Sequence, residues 1–525
     1  MKTITSSPSP HKTVRTTVLA TASVVTILSI AERALGFLYR IVLSRLIGAE
    51  GLGLYQVALS LFSVFLTIGT GGIPITVSRL ISKSKAENDP LGERSAVGAG
   101  VCLCLLLTLP VALVLGLFPQ TVSFLFSDER GVSAFRILLI GLVFSSLYAV
   151  VRGSFWGNKQ FLAPSVLELA EEAVMVIAGV LLLQNVSSVV DGANRASWAV
   201  VISYLFSFTA SSVCFFLFGG KLAKPEKQLK PLFRAALPIT SVRASGSLVN
   251  SAVAVLLPAM LVRAGATDAE ALSLFGIVSG MAMPVLFIPS TIIGSLSLVL
   301  VPELSEDFYR KNTKRLYQNL ARGLSVTVLI SVFLIPFFYS LGGDLGNLAF
   351  SQPLVGDFIT KGCIILLPMS LTMISTGMLN SMGFEKQTFI YYFVGAAVLL
   401  VCILILPSVC GAYAYVWGLG ASYAVTAVLN LVLLGKKCPE LYKSMWKGRG
   451  QGSVRPLLRA TLAILPLALV GSLFAALFKR IFGQFLSAVF AAVVLALLTL
   501  ATWILLGVLP VKSLFGKRKN GARKK

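Results

Sequence analysis

Histidine is almost absent from this sequence. The only one, His11, stands in the polar N-terminal stretch, which nearly excludes imidazole acid–base catalysis and histidine metal sites. Cysteine is sparse and scattered. Of the seven, Cys102, Cys104, Cys214, Cys363 and Cys402 lie in apolar runs, where a small thiol behaves as a core residue. Cys102 and Cys104, two apart and without further ligand types nearby, do not make a zinc site. Charge of either sign is scarce, at 13% of 525 residues, whereas a soluble domain carries about a quarter. Acids are scarcer still, 21 against 45 lysines and arginines. No GxxxxGK[ST] phosphate loop occurs, so ATP hydrolysis by this chain is not expected. Neither a cofactor nor a metal is expected.

Apolar residues fill the space that charge leaves. They make up 56% of the chain, and mean hydropathy is +0.87. About fourteen apolar runs recur, from 17–44 and 54–78 through 162–184 and 271–301 to 456–478 and 484–508, each long enough to cross ~30 Å of hydrocarbon. Barrel strands would be shorter and would alternate, so the pattern predicts an all-α polytopic membrane protein. Lys12 and Arg15 before the first run mimic a signal peptide, but the run continues past any cleavage point into Arg33, Gly36 and Arg40 and reads as an uncleaved first helix.

The net charge of +24 sorts with topology rather than with nucleic acid. With the N-terminus placed in the cytoplasm, 34 of the 45 lysines and arginines fall in segments on that side and 8 on the other. Arg33, Arg40 and Arg243 remain inside helices. This is the positive-inside pattern, and it puts both termini in the cytoplasm of a multi-pass protein of the cell membrane. The tail GKRKNGARKK, the 306–323 run (read as a basic amphipathic helix) and the 436–456 segment with Tyr442 and Trp446 are expected to touch anionic headgroups.

Longer basic connections divide the chain. The expected organisation is a tail at 1–16, a six-helix lobe at 17–218, a linker at 219–234, a second six-helix lobe at 235–435, a linker at 436–455, a helix pair at 456–508 and a tail at 509–525. The lobes repeat in parallel: Arg33-Ala34-Leu35-Gly36 meets Arg243-Ala244-Ser245-Gly246 at an offset of 210. Transporters of this design hold substrate between lobes near the midplane.

Arg33, Gly36, Phe37 and Arg40 share one helix face. A charge at the centre of a transmembrane helix costs about 2.5–3.5 kcal/mol on insertion scales, so such residues face protein or a wet cavity. Arg33, Arg40 and Arg243 lining a cavity would suit phosphate or pyrophosphate, which guanidinium grips in bidentate fashion. Glu168, Glu171 and Glu172 share a face of the fifth run and could pair with those arginines. The alternative is buried ion pairs that only lock helices together. Glu32 points about 100° away from Arg33 and reads as structural. Gly36 and Gly246 are candidate packing positions, and Pro74, Pro238, Pro284 and Pro289 candidate hinges within helices. Arg152-Gly153-Ser154-Phe155-Trp156-Gly157 reads as an interfacial anchor and turn.

RALGFLYRIVLSRLIGAEGLGLYQVA, GIPITVSRLISKS, RGSFWGNKQFLAPSV, ALPITSVRASGSLVNS and GMAMPVLFIPSTIIGSLSLVLVPELSE together resemble the polysaccharide-export and lipid II flippase branch of the MATE-like (MOP) superfamily, over about residues 17–435. The resemblance implies a fourteen-helix exporter of an undecaprenyl-pyrophosphate-linked saccharide. It implies that Arg33, in the motif Arg-x-x-Gly-Phe, and Arg243 take the pyrophosphate, and that the last two helices form a groove for the lipid tail. The family's Arg-Gly-Tyr-Phe-Gln-Gly reads Arg-Gly-Ser-Phe-Trp-Gly here. Its fifth-helix glutamate matches Glu171, but the arginine four residues on is Met175.

Two other classes stay open. A cation-coupled drug exporter of the same superfamily would use acids and aromatics, as at Glu168, Glu171 and Glu172, though it would have twelve helices rather than fourteen. A membrane glycan polymerase or ligase would need catalytic groups on an outer loop, where the 342–360 segment offers only Asp344 and Asp357. A non-enzymatic transporter, acting as a monomer on a lipid-linked saccharide, is the expectation.

Overall fold

A computed structural model describes residues 10–447 and 454–508, all helix and turn with no strand among them. The side chain of His11, most of the expected 1–16 tail and the 509–525 tail lie outside the described residues. The first helix, α1 (Pro10–Thr70), is one 61-residue element that covers the first expected crossing and most of the second, 54–78, whose end falls in the next helix. It breaks at Gly48, whose φ of 71° and ψ of −178° leave the helical region. Only glycine adopts that conformation without strain, so the junction of the two crossings is written at this residue. The following elements are α2 (Ile73–Ala86), α3 (Pro90–Leu117), α4 (Gly131–Gly157), α5 (Leu162–Leu182), α6 (Val189–Leu217), α7 (Leu229–Arg263) and α8 (Asp268–Phe275). Then come α9 (Ile288–Tyr309), α10 (Thr313–Leu345), α11 (Pro353–Gly362), α12 (Leu366–Ser381), α13 (Glu385–Ile405), α14 (Tyr413–Lys437), α15 (Pro439–Lys447), α16 (Val454–Leu462), α17 (Ile464–Ile481) and α18 (Gln484–Leu505).

Among the described residues thirteen segments are long and apolar enough to cross a bilayer. The first, Ser23–Ala86, has 64 residues and suffices for two crossings. Helix α5 is not among the thirteen, because Glu168, Glu171 and Glu172 fall in any span-length window. Its 21 residues still reach about 31 Å. About fourteen crossings result.

Two expected helices are each divided. The run 271–301 is not one helix: α8 passes into a π-helical stretch at Gly276–Ala282, then a short turn Met283–Leu286, before α9 begins. Pro284 and Pro289 each stand in the first turn of a new helix, as does Pro74 in α2. Their missing N–H would be unpaired at a helix start in any case, so they stand at junctions between helical segments, Pro284 directly after the π-helical stretch. Pro238 alone of the four lies inside a helix, α7. The 306–323 run is likewise not one amphipathic helix. It turns at Lys311 (φ 55°), and Asn312 caps α10 by accepting from the Arg315 amide.

The contacts divide the chain into two units, Met1–Val262 with Ala266–Gly276, and Arg263–Gly265 with Ile277–Lys525. In the first, Ile73, Val77, Ile81, Leu103, Val150 and Phe155 form a buried cluster that also takes Leu232 and Ala236 of α7. Helix α7, which carries Arg243, therefore packs with the helices before it, although composition places the lobe boundary at 219–234. In the second unit α9, α10, α12 and α14 bury Ile293, Leu320, Ile374, Leu379 and Leu434. The terminal pair docks on α10, where Val332 meets Ala460 and Trp503, and Leu341 meets Ala475 and Ala491.

Candidate functional site

Helix α4 has a face marked by Tyr148, Arg152 and Trp156, four residues apart. The Arg152 guanidinium lies 5.6 Å from the Tyr148 ring centre and 5.2 Å from that of Trp156. Its Nη1 donates to Glu168 Oε1 of α5 at 2.9 Å. Its Nε is buried without a hydrogen-bond partner, as is the Tyr148 hydroxyl. An unmet buried donor costs about 1–3 kcal/mol, so the pair is satisfied on one side only.

One turn further along α5 the other two acids diverge. Glu171 accepts a short hydrogen bond from Ser207 Oγ of α6. The Glu172 side chain rests against α1, where a Cβ built on Gly36 would sit 2.6 Å from Glu172 Oε1. With no side chain at Gly36, the Glu172 carboxylate rests directly against α1. The charge of Arg40 acts on Glu172, and those of Glu168, Arg33 and Arg152 act on Glu32. Tyr39, only 3% exposed, places its hydroxyl without a partner on the same side of the bundle.

The structure therefore brings together Glu32, Arg33, Gly36, Arg40, Glu168, Glu171 and Glu172 within the first unit. Three readings change. The acid that forms an ion pair, Glu168, takes Arg152 and none of the three expected arginines. Arg152, read as an interfacial anchor, is half-buried and belongs to the charged cluster. Glu32 also faces that cluster and is not set apart by its rotation from Arg33. The signal for Arg152 was an arginine flanked at i−4 and i+4 by Tyr148 and Trp156. Its significance depends on α5 packing beside it.

Arg33 and Arg40 on α1 and Arg243 on α7 are exposed, and none has an acid within ion-pair distance among the described residues. Gly246 lies one turn beyond Arg243 in α7. Two apolar clefts open elsewhere. One of about 680 Å³ runs between α3 and α4 past Leu113, Ile140 and Phe144, and its only charged residue is Arg136. The other, about 490 Å³, lies along α16, α17 and α18, lined by Leu462, Pro466, Val470 and Leu498. At its end Arg459 donates to the Leu506 carbonyl at 3.4 Å. This second cleft occupies the helices from which a lipid-tail groove was expected.

Residues 18–308 match the family described as "Polysaccharide biosynthesis protein". Among curated proteins, the chain is 26% identical to stage V sporulation protein B of Bacillus subtilis (strain 168) over 378 residues, 67% of this chain and 72% of that one. It is 20% identical to the lipid II flippase MurJ of the same organism over 455 residues, 81% and 84% of the two chains. Among solved structures, an inward closed conformation of lipid II flippase MurJ superposes with a TM-score of 0.70 at 14% identity, covering 93% of this chain and all of that one. With more than half of its length matched, the chain belongs to the polysaccharide biosynthesis protein family.

Proposed function

We propose that the chain is a flippase that carries an undecaprenyl-pyrophosphate-linked saccharide across the cytoplasmic membrane by alternating access. The saccharide is a polysaccharide unit or peptidoglycan precursor, with the spore cortex as one destination. The observation that carries this reading is the state of Arg33, Arg40 and Arg243: exposed, with no acid within ion-pair distance among the described residues, on helices that cross the bilayer. Such guanidiniums need water or an anion, and a pyrophosphate offers the charge and the oxygens they match. The isoprenoid tail stays in the bilayer, with the cleft along α16–α18 as its contact. Both termini on the cytoplasmic side, the six–six–two organisation, a monomeric state and headgroup contacts of the basic loops belong to the same proposal. Gly36 and Gly246 as close-packing positions, and Pro74, Pro284 and Pro289 as joints between helix segments, would let the helices move.

The test is a proteoliposome assay. Purified protein is reconstituted with a fluorescent polyprenyl-pyrophosphate oligosaccharide, and leaflet exposure is followed with an impermeant quencher. Loss of one charge-assisted hydrogen bond, about 1.5–3 kcal/mol, corresponds to a tenfold or larger effect. Arg33→Ala and Arg243→Ala should each reduce flipping by at least that much. Flipping that ignores both substitutions would overturn the assignment.

A second reading, a cation-coupled drug exporter, draws on Glu171 and Glu172, which sit in the same cluster without ion-pair partners among the described residues. It predicts proton- or sodium-driven uptake of a cationic dye that Glu171→Gln abolishes, with no lipid flipping.

A further inference from the structure

Helix α4 meets acids at both of its ends, and the two arginines there are bonded differently. Arg130, just before α4, is held by two acids. Its Nε and Nη2 reach both oxygens of Asp128 at 2.6–3.0 Å, and Nη2 also donates to Glu50 at 2.8 Å. Arg152 has one bond, Nη1 to Glu168 Oε1. Its Nε proton and the Tyr148 hydroxyl find no acceptor among the described residues, and Tyr148 is only 5% exposed. The pair is not sealed, because the Arg152 and Glu168 side chains each keep 25% of their surface open. Tyr148 and Trp156 bracket the guanidinium and hold it in place whether or not Glu168 stays.

Two unmet donors beside a third that carries a carboxylate describe a place for a ligand with more acceptor oxygens than a carboxylate has. Phosphate is acceptor-only and can take several guanidinium N–H bonds at once. We infer that Arg152 is a further contact for the substrate's pyrophosphate, and that Glu168 occupies it when no substrate is bound. On loading, a phosphate oxygen replaces the Glu168 carboxylate on Nη1 and takes up Nε. On release, Glu168 returns, so the arginine never stands uncompensated. This inference rests on the lipid-pyrophosphate reading above, and the ligand's chemistry is shared by the lipid headgroup and by free pyrophosphate.

The full chain, purified in detergent, is titrated with polyprenyl pyrophosphate and separately with inorganic pyrophosphate, with polyprenol as the uncharged control. The proteins are wild type, Arg33→Ala, Glu168→Gln, Arg152→Gln and the double variant Arg152→Gln/Glu168→Gln. Glutamine keeps a hydrogen-bonding oxygen at 168, and melting curves check that each variant is folded. Removal of the competing charge should tighten binding of the lipid probe by about fivefold or more in Glu168→Gln. Arg152→Gln should weaken it by about tenfold or more, and the double variant should bind as weakly as Arg152→Gln alone. A pair that only locks helices predicts otherwise: both single variants melt lower and bind no differently, or the double variant recovers wild-type binding. Either result overturns the inference, as does a Glu168→Gln gain seen with inorganic pyrophosphate alone. Wild-type protein that binds the lipid probe no better than polyprenol overturns the flippase reading as well. Binding that depends on Arg33 but not on 152 or 168 removes this inference only.

Discussion

The two ends of α4 show how the same residue types serve different ends. At its start, Arg130 forms a fork with Asp128 and Glu50 in a turn between crossings, through Nε and Nη2, with the rest of the guanidinium open to solvent. At its other end Arg152 meets one acid, one bond and two aromatic rings, and leaves a donor unmet. A completed ion cluster in contact with water contributes modestly to stability and is indifferent to substrate. A half-completed one in a membrane-spanning bundle is costly to keep and is retained where something else uses it. A buried unmet donor, rather than the presence of charge, separates the arginine assigned to substrate from the structural one.

That contrast can be broken experimentally, most severely at Arg152. Arg152→Ala should reduce lipid flipping in proteoliposomes by at least about tenfold, the consequence of losing a charged contact. Equal flipping by Arg130→Ala and Arg152→Ala would erase the distinction. Gly36→Ala comes next. Its methyl would stand 2.6 Å from Glu172 Oε1 and displace that carboxylate from α1, so flipping should fall severalfold. Gly116→Ala, with nothing within 4 Å, should leave flipping unchanged. Arg130→Ala should cost stability alone, on the order of 1 kcal/mol for a pair whose arginine is open to water, read as a lower melting temperature with unaltered transport.

The smallest effect is a pH dependence. Burial works to raise the Asp128 carboxyl, but the bonds and charge of Arg130 outweigh it and hold the group below the usual carboxylate range. A carboxylate lowered on folding stabilises the protein above its unfolded value, near 3.9, and that contribution fades as pH falls through the lowered folded value. The melting-temperature deficit of Asp128→Asn relative to wild type should therefore be full at pH 7 and shrink below about pH 4. A deficit that grew in acid would contradict the assigned direction.

Much of this was legible before any coordinates. Runs of apolar residues identified the crossings, the distribution of 45 basic residues predicted their direction, and arginines and glutamates inside those runs marked the charged interior. Less was legible about partners. Glu168 could have paired with Arg33, Arg40 or Arg243 by charge alone, and RGSFWG read as a surface anchor because arginine, tryptophan and glycine at the end of a crossing usually are one. Prolines 74, 284 and 289 looked like kinks within helices because hydropathy continues through them, while the backbone restarts there.

Composition and periodicity by themselves determined that this chain is a polytopic helical protein with charges inside it. A bilayer solvates no polar group, so burying a charge leaves an unmistakable mark in a linear sequence. Only the tertiary structure decided which carboxylate meets which guanidinium. Pairing depends on the rotation and depth at which α1, α4, α5 and α6 pack. The contacts that result, such as that of Glu172 with Gly36, join residues more than a hundred positions apart.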